Sequence, residues 1–353
     1  MSLPFNLAFS GLSSGLQTKN AAAGGGVGGW VELGRTTLGS TADTISVASL
    51  ADKRYYMILA DQRASGDTNS GFRLNGDTGS NYAQRGNFNG TENTATSNST
   101  LMGNWGSAVS TKAFHVGYLA NKSDKEKLAI IHKVTQSTAG AGTAPNRQEG
   151  VGKHAQTSVA INAVSVTNTD SGDYASGSEL VVLGWDPADT HTTNFWTELA
   201  SVDLSGGAAS YIDSGTITAK KYLWYQIYSS QTIDSDFIVT FNADSTLKYN
   251  RRYSYNGATD VYSDINLAGY PHTSNAANTP SFFNAFVINN LANEKLIMSH
   301  DIMRYTAGAG IAPNRLEGVG KWENTSAQIT SMRVTSGSGN LNTNTYLRIW
   351  GSN

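Results

Sequence analysis

The chain contains no cysteine, which excludes disulfide scaffolds, thiolate zinc sites, iron–sulfur clusters and cysteine nucleophiles. Charge is scarce. Only 15% of residues are Asp, Glu, Lys or Arg, against about 25% in an ordinary soluble domain. The polar surface must therefore come from Ser, Thr, Asn and Gly. Lys plus Arg number 25 and Asp plus Glu 27, a formal net charge of -2. That lacks the clustered basic excess which binds nucleic acid or an anionic membrane surface, so neither partner is expected. No run of about 18 apolar residues is present to span a bilayer as a helix. The opening MSLPFNLAFSGLSSG lacks the basic and sustained apolar regions of a secretory signal. A route out of a cell, if any, is expected to be lysis or assembly into a particle.

Hydrophobic residues make up 39% of the chain, enough for a packed core, and the first thing they show is self-similarity. TAGAGTAPNRQEGVGK at 138–153 returns as TAGAGIAPNRLEGVGK at 306–321, with fourteen of sixteen positions identical at an offset of 168 (306 − 138). The match extends outward. Trp30-Val-Glu-Leu answers Trp196-Thr-Glu-Leu; Asn75, Asp77, Tyr82, Arg85 and Asn89-Gly90 answer Asn242, Asp244, Tyr249, Arg252 and Asn256-Gly257; His132 answers His300. A period this long exceeds the 20–50 residues of a solenoid repeat and indicates a whole domain used twice. The boundaries fall at 30–185 and 196–353, joined by a polar linker at 186–195. Residues 1–29 precede them as an arm ending in a Gly-rich linker. In that arm Leu3, Phe5, Leu7 and Phe9 alternate, and Phe5 and Phe9 are the residues expected to dock on a neighbouring subunit.

Local patterns favour strands. Tyr55–Ala60, Tyr222–Tyr228, Phe237–Phe241 and Phe283–Ile288 are rich in β-branched and aromatic residues, and Asn-Gly and Ser-Gly turn signals separate such runs. Only Asp124–Ile131 suggests a helical turn. The expected fold is all-β, with two tandem homologous β-sandwich, jelly-roll-like domains and a flexible N-terminal arm.

Catalytic and ligand patterns are weak. Gly-Ala-Gly followed by Ala-Pro-Asn-Arg lacks phosphate-loop spacing and reads as a turn. Arg147 with Glu149, and Arg315 with Glu317, stand two apart and so brace one face of an extended segment. His132 and His300 read as structural histidines, because no H-x-H or H-E-x-x-H pattern supplies partners and His154 aligns with Trp322. Asp77 and Asp244 could join a calcium loop, yet the EF-hand spacing is missing. No G-x-S-x-G elbow is present. No catalytic residue, metal ligand or cofactor is therefore expected, and what the two copies share is turn glycines and apolar positions that preserve a shape.

The strings WVELGRTTLGS, YYMILADQ, FRLNGDTGSNYAQR, APNRQEGVGK and SGDYASGSELVVLGWDP resemble repeat units in structural proteins of marine tailed phages and related environmental viruses, over nearly all the chain after residue 29. The resemblance implies a virion protein, of the head-decoration or tail-fibre type. On this basis the expected function is a non-enzymatic virion structural protein forming a symmetric homo-oligomer, a trimer by preference, with other capsid or tail proteins as partners. Two alternatives stay open: a double jelly-roll capsid subunit, and a receptor-recognition protein that stacks host-surface glycans on Trp105, Tyr253 and Tyr255.

Overall fold

The computed structural model describes residues 29–102, 108–109, 111–191, 193–262, 267–272, 277–303 and 308–353. Phe5, Phe9 and Trp105 lie outside these. No helix occurs among the described residues. The expected helical turn at Asp124–Ile131 is instead a short turn leading into a strand from Lys127, because Leu128, Ile130 and His132 alternate with residues that face a core.

In the first half an eight-stranded antiparallel sheet runs, in spatial order, β1 (Val31–Thr37), β13 (Glu179–Trp185), β3 (Tyr55–Arg63), β9 (Lys112–Ala120), β10 (Lys127–Thr135), β11 (Asn146–His154), β6 (Tyr82–Phe88) and β7 (Thr91–Asn98). Against it lies a smaller sheet of β2 (Thr44–Val47), β12 (Val164–Asn168) and β5 (Ser70–Leu74), while β4 (Asp67–Thr68) pairs with β8 (Ala108–Val109). The second half holds another eight-stranded sheet: β14 (Thr197–Asp203), β25 (Tyr346–Ser352), β16 (Tyr222–Ser229), β21 (Ser281–Ile288), β22 (Lys295–Met303), β23 (Asn314–Trp322), β18 (Tyr249–Tyr255) and β19 (Val261–Tyr262). Its companion sheet runs β15 (Tyr211–Asp213), β24 (Met332–Ser336), β17 (Phe237–Phe241) and β20 (Tyr270–His272).

Each half buries a core between its large and small sheets, with Tyr56, Ile58, Phe72 and Val166 in the first and Tyr225, Phe237, Phe283 and Val334 in the second. A third core joins the halves. Met57, Leu59, Phe114, Val116, Val181 and Leu183 pack against Trp196, Tyr222, Trp224, Phe286, Met298 and Val319. Side chains alternate across a strand, so Met57 and Leu59 face the second half while Tyr56 and Ile58 face inward. This double burial explains why these strands read as unbroken apolar runs such as Leu180-Val-Val-Leu183.

Polar contacts tie the junction further. Lys221 Nζ lies 3.0 Å from Glu179 and 3.2 Å from Asp61, and Tyr222 donates to Glu179 at 2.7 Å. Within the connector, the Phe195 N–H bonds the Trp30 carbonyl at 2.7 Å, Phe195 is buried, and Asp189 pairs with Lys53. These contacts pin the connector at Asp189 and Phe195.

Candidate functional site

Two features stand out on the outward faces of the large sheets. The first lies where the halves meet. His132 on β10 is directly opposite Glu149 on β11, and His300 on β22 is directly opposite Glu317 on β23. The two His–Glu pairs face one another, with the imidazole centroids 4.2 Å apart. They line a cavity of about 10 Å³ together with Arg147, Met298 and Val319, room for roughly one water molecule. One ligand atom each of His132, Glu149 and His300 lies within 4.8 Å of the others.

Burial dominates the electrostatics there. It pushes His132 well below the usual imidazole range, reinforced by His300 and Arg147, and it lowers His300 as well. Burial and the neighbouring Glu149 raise the Glu317 carboxyl. The two arginines brace their carboxylates as their spacing predicts: Arg147 Nη1 is 2.7 Å from Glu149 and Arg315 Nε 3.2 Å from Glu317. Arg147 also crosses the junction, its Nε donating to Asp260 Oδ2 at 3.1 Å with both side chains nearly inaccessible. That crossing is not visible in sequence, where Asp260 has no marked neighbour.

The second feature is an apolar groove of about 960 Å³ on the first half, lined among others by Trp30, Tyr55, Tyr118, Leu128, Ile130 and Val151. Leu128, Ile130 and Val151 are 57%, 49% and 51% exposed, whereas Leu296, Met298 and Val319, each 168 positions later, are 1%, 3% and 2% exposed. The difference lies in what covers them. The first half lays its sheet face and its 136–145 loop over the second. Lys321 Nζ donates to the carbonyls of Gln136 and Thr138 at 3.3 and 2.6 Å, the Gly140 and Ala141 N–H groups bond Glu294 and Glu323, and Arg252 Nε donates to the Pro145 carbonyl at 2.9 Å. No second-half loop does the same for the groove among the described residues. Around Gly308 and Gly310 there is open space, and Ile311 is 55% exposed.

The other candidates settle into structural bonds. Asp77 accepts from the Gly79 N–H and from Asn81 and lies 2.8 Å from His154 Nε2. Asp244 is held by Thr246 and Trp322. Tyr253 and Tyr255 are half-buried on β18, and the Arg251 guanidinium covers the Tyr253 ring at 4.4 Å. The structure does not bring Tyr253 and Tyr255 into the groove.

No family model and no curated protein matches the chain. Among solved structures it is similar to the mouse laminin alpha1 chain, domains LG4-5, at 8% identity over 95% of this chain and 91% of that one, with a TM-score of 0.20. It is also similar to Neisserial surface protein A, at 8% identity over 81% of this chain and 99% of that one, with a TM-score of 0.13. Likenesses this slight bring nothing from either protein to this chain.

Proposed function

We propose that this chain is a non-enzymatic structural subunit of a phage or viral particle, built from two tandem copies of one β-sandwich unit and assembling head to tail with further copies of itself. The single observation that carries the assembly is the contrast between exposed Leu128, Ile130 and Val151 and buried Leu296, Met298 and Val319. A large exposed apolar patch marks an interaction site, and here the chain carries its own template for the occupant. The 138–145 loop already covers the second copy of this surface; its sequence returns nearly unchanged at 306–313, where Gly308 and Gly310 face open space and Ile311 is exposed.

Several groups that receive the inner loop recur at the groove. Glu294, Lys321 and Arg252 correspond to Glu126, Lys153 and Arg85; Arg85 and Lys153 line the groove, Arg85 paired with Glu92 and Lys153 with Glu126. Gln226 and Asn284 stand in the second half where Leu59 and Val116 stand in the first, so the contact between copies is more polar and weaker than the one within the chain. A head-to-tail contact closes into a ring or runs on as a filament. In a trimer it gives a ring of six half-units. The matching strand order of the two large sheets supports the tandem reading, and the phage resemblance supplies the particle.

Sedimentation of the full chain over a concentration series tests the assembly. A self-associating wild type, dissociated by Leu128→Asp with Ile130→Asp and by Ile311→Asp, is the expected result. A monomer at all concentrations overturns the head-to-tail reading. Dissociation on removing residues 1–28, with Ile311→Asp silent, overturns it in favour of the arm. Mass spectrometry of purified particles tests the virion assignment, and absence of the chain from them overturns that part.

A further inference from the structure

We propose that His132, Glu149, His300 and Glu317 hold a divalent transition-metal ion, zinc by preference, that clamps the two halves across their junction. The four side chains come from four strands, each His facing its Glu across a ladder, and β10 meets β22 at the junction. Zinc sits about 2.0–2.2 Å from nitrogen and oxygen ligands. The ligand atoms of His132, Glu149 and His300, already within 4.8 Å of one another, therefore need only small side-chain rotations to close on one ion.

Each donor keeps at least one atom for a ligand, since Arg147 and Arg315 each take only Oε1 of their glutamate. Neither ring nitrogen of His132 or His300 makes a hydrogen bond among the described residues, and Glu317 Oε2 is buried with no partner. The charges also call for a cation. Glu149, Glu317 and Asp260 converge on a single enclosed guanidinium, that of Arg147, because Arg315 is 61% exposed along its side chain. Arg147 takes Glu149 Oε1, which leaves the other oxygen for a ligand. Two imidazoles with carboxylates favour zinc, nickel or copper over magnesium or calcium, which prefer all-oxygen shells.

The proposal does not depend on the assembly reading and is tested on the full chain, without a histidine tag, after chelator treatment. Titration with Co²⁺ should give visible absorption bands that saturate at one equivalent and vanish on adding Zn²⁺. Calorimetry should show one Zn²⁺ per chain. His132→Ala and His300→Ala should each weaken Zn²⁺ binding by about 100-fold or more, since even outer-shell losses cost 10–100-fold; His191→Ala should leave it unchanged. Glu317→Gln, nearly isosteric, should weaken it with no change in the far-ultraviolet circular dichroism. Absence of stoichiometric Zn²⁺ binding by the wild type overturns the proposal, and so does binding that survives all three ligand substitutions.

Discussion

The indole N–H of Trp322 donates to Oδ2 of Asp244 at 3.0 Å. In the first half the same place is taken by His154, whose Nε2 lies 2.8 Å from Oδ2 of Asp77. Two unlike rings thus serve one purpose, presenting an N–H to a carboxylate that ends a turn. The ring behind each is conserved in kind: Tyr82 stacks on His154 and Tyr249 on Trp322, and both tyrosine hydroxyls bond the turn carbonyl of the adjacent Asp. The rings at 154 and 322 differ in sequence, and each is engaged by the carboxylate of its own turn.

Asp77→Ala and Asp244→Ala should therefore act alike. Each removes a charged acceptor from several donors, and hydrogen bonds to charged groups are worth about 1.5–3 kcal/mol. We expect each variant to lose about 2 kcal/mol of unfolding free energy in urea titrations. Neither substitution should alter the response to added calcium, because both carboxylates are spent on the protein's own donors.

The repeated loop, the strand runs and the arginine braces were legible because each depends on local spacing. Asn75 and Asn242 were legible as a pair but not as to purpose. Both adopt positive φ, 55° and 54°, and each bonds a segment more than eighty residues away. The shared core was hidden for a different reason. An apolar run such as Leu180–Leu183 shows that both faces are buried, yet it cannot say which neighbour covers the second face. The His–Glu cluster was hidden likewise, since its two members per half meet their counterparts only through the packing of one half on the other.

Acid should destabilise the protein in two stages. His115 and His132 are held well below the usual imidazole value by burial. Their folded forms stay neutral while the unfolded chain takes up protons below about pH 6.5, so stability falls as pH drops from there. A second loss follows near pH 4. Burial raises Asp77, Asp244 and Glu179, but their hydrogen bonds and nearby cations outweigh it and leave each net lowered. Such groups stabilise the fold above their unfolded value, and that contribution is lost as pH falls through the folded one. Chemical denaturation at pH 7.5, 5.5 and 4 should show stability decreasing at each step. His115→Gln should reduce the first step and leave the second intact.

Arg147 and Asp260 form a two-point ion pair across the junction, with side chains 2% and 1% exposed. Removing one partner of such a pair strands a buried charge, at about 3–5 kcal/mol. Glu149 and Asn87 still contact Arg147, so Asp260→Leu should cost about 3 kcal/mol. The double variant Arg147→Met with Asp260→Leu should recover most of that, because an apolar pair of similar volume is often neutral or better. A double-mutant cycle by urea unfolding measures both numbers.

Trp196 tests whether the halves unfold together. It is 1% exposed and its ring lies 5.1 Å from Phe195, 5.7 Å from Trp224 and 6.0 Å from Phe286. Removing a buried indole costs about 3–5 kcal/mol through lost transfer energy and the cavity left behind. Because this core is shared with Met57, Leu59 and Val181 of the first half, the loss should shift one common transition instead of separating two. Trp196→Ala should thus lower the melting temperature of the whole chain, with tryptophan fluorescence and circular dichroism moving together. Residues 30–190 expressed alone should bind a hydrophobic dye strongly, since the face that meets Trp196, Trp224 and Phe286 is then bare. Two resolved transitions in the wild type, or a half-chain that melts as cooperatively as the full chain without binding dye, would show that the third core contributes little to holding the halves together.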